Sequence, residues 1–245
     1  MSENRLRKYL NRATSPPRGH RKFKPVILSD SKGNHLANHC SNEQELEINW
    51  CAKGGRKFEH GHRWLIENLP AKLTRHGKVS LYVWLGTCNL TSVNKDYISL
   101  TTDLDETVNK IINTITEIRT LPERHENLKT TILEIPNYSI VKWNTYKGHS
   151  DPSSFKDQDD KLQDQIHALN KHIRGVNSKP NRHSPIFSTD LSGNSKYKPG
   201  NKNTTKTRHY YNFNLYKDGI HPENTLAKVW LKNITEQIKK VCWEA

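Results

Sequence analysis

Apolar positions along this chain follow two rhythms, one suited to strands and one to helices. The runs "KPVILS" (24–29) and "KVSLYVWLG" (78–86) are apolar almost throughout, as strands buried on both faces of a sheet should be. "ELEINWCA" (45–52) alternates and reads as another strand, "TTILEIP" (130–136) as a fourth, and "SPIFSTDL" (184–191) as a short fifth. Between them the spacing lengthens. Leu104, Val108, Ile111, Ile115 and Ile118 share one helix face, and so do Leu162, Ile166, Leu169, Ile173 and Val176. The second of these helices opens on Asp157, Asp159 and Asp160 and closes on Lys171 and Arg174, which matches its dipole. A last helix begins near Pro222 and Glu223 and turns Leu226, Val229, Trp230, Ile234, Ile238 and Val241 inward. Strands alternating with helices predict a parallel sheet covered on both faces.

At 245 residues the chain suits one α/β domain with appendages. The hydrophobic fraction is only 33% and the net charge is +14, which points to unfolded stretches. The charge is not spread evenly. Residues 1–24 carry eight Lys or Arg against Glu3, and residues 179–209 carry seven against Asp190, so the remainder is nearly neutral. The expected organisation is a basic disordered tail over 1–23 and a folded domain over 24–245, interrupted by a basic disordered insertion at about 191–208. The arms over 1–24 and 179–209 suit a nucleic acid or another polyanion, or serve as solubilising tails.

The cysteines Cys40, Cys51, Cys88 and Cys242 form no CxxC pair and no disulfide-dense spacing, which favours a reducing, intracellular compartment. The basic N-terminus lacks a following apolar segment, so no secretory signal is read, and no apolar run is long enough to span a bilayer. His35 and His39 share a helix face near Cys40 and Cys51, but no second ligand pair accompanies them, so neither a metal nor another cofactor is expected.

In open parallel sheets, ligands bind beyond the carboxyl ends of strands. Those ends carry Ser29-Asp30-Ser31, then Lys53-Gly54-Gly55-Arg56, then Gly86-Thr87-Cys88-Asn89, and late in the chain "DGIHP" holds Asp218 and His221. Each has a plain structural use: Ser31 as a helix cap, Gly54-Gly55 as a turn, Asp218 and His221 as a turn before a helix. Together they supply a hydroxyl, a flexible backbone donor, an amide and an Asp/His pair, the parts acyl transfer needs.

Here the sequence resembles the SGNH hydrolases, the GDSL-type esterases and lipases. "SDS" stands where that family has Gly-Asp-Ser, "KGGR" matches its second block, and "DGIHP" its Asp-x-x-His block. The resemblance covers roughly residues 25–242. It implies a three-layer α/β/α sandwich with a flavodoxin-like parallel sheet, and metal-free hydrolysis of an ester-type acyl bond in a small molecule or an acetylated polymer. It implies Ser31 as nucleophile, His221 as base and Asp218 as orienting acid. The oxyanion would be held by the amides of Ser31 and Gly55, with Gly54 the neighbouring register, and by Asn89. Two departures stand out. Ser29 replaces the family's Gly, and Cys88 occupies its amide position, with Asn89 one place later. Either Asn89 reaches the site or one donor is lost. The alternative function is a weak or inactive SGNH-fold module that binds nucleic acid through its basic arms, as in mobile-element proteins.

Overall fold

The computed structural model describes residues 1–179, 182–197 and 205–244. At its centre are four parallel strands in the spatial order Asn49–Ala52, Lys24–Ser29, Val79–Trp84, Leu128–Ile132. Alternation along these strands sorts the core into two halves. Val26, Leu28, Leu81 and Val83 point to one face, where they meet helices Phe58–His76, Leu104–Arg124 and Lys156–Ser178. Ile27, Tyr82 and Trp84 point to the other and meet helix Asn224–Cys242 through Leu226, Trp230, Ile234 and Ile238. The result is a sheet between two helical layers, as the pattern predicts.

The sheet edge at Leu128–Ile132 is closed by side chains. Asn177 on the neighbouring helix receives the Ile132 amide at 3.2 Å and donates to its carbonyl at 2.7 Å. Asn170 does the same for Ile135, at 2.8 Å each way. Two asparagines seven residues apart on one helix thus stand in for a further strand, satisfying backbone groups that an open edge would leave unpaired.

Two of the expected strands need correction. The segment 45–52 is a strand only from Asn49. Ahead of it, Glu43–Leu46 is a short helix, because Asn42 and Glu45 cap each other reciprocally. The expected fifth strand contains helix Phe187–Leu191, whose Phe187 and Leu191 lie one turn apart and are both fully buried. Phe187 stacks on Trp84 at 5.2 Å and meets Trp230 edge-on at 5.1 Å, which a helical spacing allows.

The N-terminal arm is not a free tail over its length. Residues Glu3–Leu10 form a helix that buries Leu6 beside the C-terminal helix. Lys232 receives its end by donating to the carbonyls of Tyr9, Leu10 and Arg12. His20–Arg21 then pairs with Trp243–Glu244. A count of charges misses this because one buried leucine and one cationic cap hold the segment down. In the expected insertion, Ser192–Tyr197 and Lys206–Tyr211 form an antiparallel ribbon, while 198–204 lies outside the described residues. A second antiparallel pair that the pattern did not suggest, Thr91–Asn94 with Tyr97–Leu100, turns through Lys95 at positive φ.

Candidate active site

Strand Lys24–Ser29 ends at the sheet's carboxyl edge, and Asp30 caps the helix Ser31–Ala37 that follows, accepting from the Lys32 amide at 3.0 Å. Ser31 is therefore the first residue of that helix, and its hydroxyl stands at the sheet rim. Ser29 is accommodated by a glycine four residues on. A Cβ at Gly33 would fall 1.9 Å from the Ser29 hydroxyl oxygen, so the side chain gained at 29 fills space that Gly33 leaves empty. Ser29 is itself an ordinary strand residue, and its hydroxyl donates to the Asp30 carbonyl at 3.0 Å.

Beneath Ser31 lies a buried ion pair. Lys32, 2% exposed, places its ammonium 2.5 Å from the Asp30 carboxylate and 2.6 Å from the Thr87 hydroxyl, 5.4 Å from the centre of the Trp84 ring. This pair joins the first strand's end to the third strand's end.

The loop Leu215–Glu223 brings the remaining groups. His221 Nε2 is 2.9 Å from Ser31 Oγ, across 190 residues of sequence. His221 Nδ1 is 2.7 Å from Asp218 Oδ2. The other Asp218 oxygen accepts from the amides of Ile220 at 2.9 Å and His221 at 2.8 Å. Burial would raise the Asp218 pKa, but the His221 hydrogen bond and these two amides outweigh it and hold the carboxyl below its ordinary value. Gly219 is required in this loop: its φ is +98°, and a Cβ there would meet the Trp143 amide nitrogen at 2.8 Å.

His221 is also held on its flat faces. The His35 ring stacks on it at 4.5 Å, and Trp143 lies tilted at 6.1 Å. His35 sits one helical turn after Ser31, so the helix that presents the hydroxyl also presents the ring that braces the imidazole. Burial and the His221 ring both lower the His35 pKa, favouring its neutral form. Of the pair His35/His39, considered as ligands in the sequence, His35 is engaged in stacking on His221.

Ser31 and His221 open into a cavity of about 470 Å³, with Gly55, Cys88, Ile98 and Trp143 in its wall. Gly55 has φ +71°, a conformation suited to glycine, and its amide faces the Cys88 sulfur. Neither Gly54 nor Asn89 lines this cavity. Among the described residues the Ser31 amide finds no protein acceptor, which leaves it free for a ligand oxygen. Asn89 departs from its expected role. Its oxygen accepts from the Phe58 amide at 3.0 Å and its nitrogen donates to Glu59 at 2.9 Å, so it caps helix Phe58–His76, whose own N-cap residue Lys57 offers no side-chain bond. Cys88 faces the cavity in its place, with burial and the nearby Asp30 raising its thiol pKa.

No protein-family profile matches the sequence, and no curated protein matches it significantly. Solved structures do match. A GDSL-like lipase from Bacteroides thetaiotaomicron aligns at 12% identity over 98% of each chain, with a TM-score of 0.59. A lipase/acylhydrolase from Enterococcus faecalis aligns at 13% identity over 90% of this chain and 97% of that one, with a TM-score of 0.54. The chain has the SGNH hydrolase fold. A candidate SGNH hydrolase from Slackia heliotrinireducens matches similarly, at 10% identity over 88% of this chain and 98% of that one, TM-score 0.51. Of the residues expected from the sequence, Ser31, Gly55 and His221 line one cavity, and Asp218 is hydrogen-bonded to His221. The packing of His35 and Trp143 on His221 and the burial of Lys32 were not expected. Two cues were on the chain: Ser31 and His35 are four apart on one helix, and Lys32 directly follows Ser31.

Proposed function

We propose that this chain is a divergent SGNH hydrolase that cleaves an ester-type acyl bond through Ser31, His221 and Asp218. The observation that carries this reading is the unbroken hydrogen-bonded chain from Ser31 Oγ to His221 to Asp218 at the mouth of a cavity. Ser31 Oγ attacks the acyl carbon while His221 Nε2 takes its proton. Asp218 accepts from Nδ1–H, which fixes the tautomer and stabilises the imidazolium. The carbonyl oxygen, now carrying negative charge, is received by the amides of Ser31 and Gly55. The imidazolium then protonates the leaving oxygen or sulfur. A water, deprotonated by His221, releases the acid and restores the serine. Cys88, as a neutral thiol, adds little to the oxyanion's stabilisation.

The test is covalent labelling with a fluorophosphonate probe. Wild-type protein should be labelled, and Ser31→Ala and His221→Ala should not. Unlabelled wild-type protein that retains its fold, or labelling that persists in Ser31→Ala, removes the basis for the reading.

A second reading has one observation behind it. The ribbon Ser192–Tyr197/Lys206–Tyr211 is exposed, carries Lys196, Lys206 and Arg208, and presents Tyr197 and Tyr210 at 47% and 45% exposure. Cations interleaved with tyrosines suit a nucleic acid. If the ribbon binds one, affinity should fall steeply with salt and vanish on replacing those three cations. Binding unaffected by both changes counts against it.

A further inference from the structure

The candidate cavity does not end at Gly55. On the other side of that glycine lies a second cleft of about 480 Å³, so the two share Gly55 as a common wall. They differ in chemistry. The cavity beside His221 is faced by Ile98, Trp143 and Ile220, with Val93 at its edge. The second cleft is faced by Lys53, Arg56 and Arg63 against a lone carboxylate, Glu67, with His60 and Trp64 beside them. Lys53, His60 and Arg63 are exposed, and their side chains have no hydrogen-bond or ion-pair partner among the described residues. Arg56 is different. It is 7% exposed, donates to the Ser29 carbonyl at 3.3 Å and to the Cys51 carbonyl, and lies 5.5 Å from the centre of the Trp64 ring. It fixes the floor of the cleft to the strand that leads to Ser31.

Resting on the hydrolase reading above, we propose that the substrate is an acyl ester or thioester whose leaving group carries phosphate. The apolar acyl arm occupies the cavity of Ile98, Trp143 and Ile220. The phosphorylated arm lies across Gly55 on Lys53 and Arg63. A free ammonium and a free guanidinium on a solvent-open face are the groups that recognise phosphate. An open cleft also suits the arm that must depart after acyl transfer. The wall between the arms is the residue whose amide receives the oxyanion, which places the scissile carbonyl where the two cavities meet. The step balances without a further reactant: the acyl–sulfur or acyl–oxygen bond breaks as the bond to Ser31 Oγ forms, the proton passes through His221 to the leaving atom, and water completes hydrolysis.

The experiment compares kcat/KM for S-butyryl-coenzyme A with that for S-butyryl-N-acetylcysteamine, the same thioester without phosphates. p-Nitrophenyl butyrate, with Ser31→Ala as control, reports whether the site turns over at all. The full-length wild type should favour the coenzyme A thioester at least tenfold, and inorganic pyrophosphate should raise its KM without raising that of the short thioester. In Lys53→Ala/Arg63→Ala the preference should fall toward one. In Lys53→Arg/Arg63→Lys, which keeps the charge, it should persist. Ser31-dependent cleavage of the nitrophenyl ester with no preference between the thioesters overturns this inference alone. A preference that survives Lys53→Ala/Arg63→Ala overturns the assignment to this cleft. No Ser31-dependent turnover of any substrate overturns the hydrolase reading and this inference with it.

Discussion

On the proposed reading, replacing Cys88 by Asn should speed ester hydrolysis. In the proposed mechanism the oxyanion has two backbone donors, the amides of Ser31 and Gly55, and Cys88 lines the same cavity. Asn89 cannot substitute from next door. Both ends of its amide are engaged at the start of helix Phe58–His76, at 3.0 and 2.9 Å, and pulling it away would uncap that helix. The shortfall is therefore one donor. Burial and Asp30 raise the Cys88 pKa, so the group at neutral pH is a thiol, whose S–H is a weak donor. One well-placed donor in an oxyanion hole is worth about 2.7–4 kcal/mol, or roughly 10²–10³ in kcat. A grafted side chain without its own supporting contacts should recover only part of that, so a rise of about tenfold to a hundredfold is expected.

Steric cost should be small, since Cys88 borders open cavity and is not packed in the core. The assay is steady-state hydrolysis of p-nitrophenyl butyrate by wild type, Cys88→Asn and Cys88→Ser, with fluorophosphonate labelling to count competent sites. The gain should appear in kcat with little change in KM, because the donor meets charge that exists only in the transition state. Cys88→Ser separates the amide's reach from mere polarity and should gain less. Unchanged or lower kcat in folded, fully labelled Cys88→Asn would refute the missing-donor account.

Two further outcomes follow from titrating groups near and far from the site. His35→Phe keeps a flat ring against His221 but removes a group that Asp218, His221, His39 and Lys217 all influence. His35 has a lowered pKa in the fold, so the unfolded chain binds its proton first and stability drops as pH falls below about 6.5. The variant should therefore lose less stability in acid than wild type, and its kcat–pH profile should show a simpler acid limb; identical acid profiles would refute the coupling. Asp190, raised to about 6 by burial, stabilises the fold below its ordinary 3.8 and loses that contribution as pH rises through 6. Asp190→Asn keeps an oxygen for the Asn233 amide, now 3.0 Å away, and should gain up to about 3 kcal/mol at pH 7 but little at pH 3.5, read from urea melts at both values; equal gains at both pH values would count against the titration.

The sheet was legible in the sequence because its strands are apolar on both faces, and the long helices because their apolar stripes are regular. What escaped reading has physical causes that local pattern does not carry. Helix Phe187–Leu191 exists because Trp84 and Trp230, distant in sequence, form the surface it packs on. The N-terminal helix depends on Lys232 capping it from the far end of the chain. The meeting of Ser31, Asp218 and His221 could be anticipated because each sits in a short block with its own turn chemistry. Asn89 was misplaced because its partners, Phe58 and Glu59, lie about thirty residues away. Lys32 offers the reverse lesson: a lysine beside a serine reads as surface charge, yet it is among the most buried side chains in the protein.

That buried lysine explains how so divergent a sequence can keep the rim of its sheet in order. The turn after strand Lys24–Ser29 must hold Ser31 still while facing an open cavity on one side. Asp30 is committed twice, to the Lys32 amide as a helix cap and to the Lys32 ammonium as a counter-ion. The ammonium then reaches Thr87, whose carbonyl accepts from the Tyr138 hydroxyl at 2.9 Å, and Tyr138 is buried just ahead of helix Ile140–Tyr146, which carries Trp143. Buried charge is a poor source of stability, since desolvation offsets most of the attraction. Its value here is geometric. An apolar pair of the same size would fill the space but fix no direction, whereas this chain of contacts ties the turn at Ser31, the cavity wall at Thr87–Cys88 and the start of the helix carrying Trp143 into one polar frame behind the cavity.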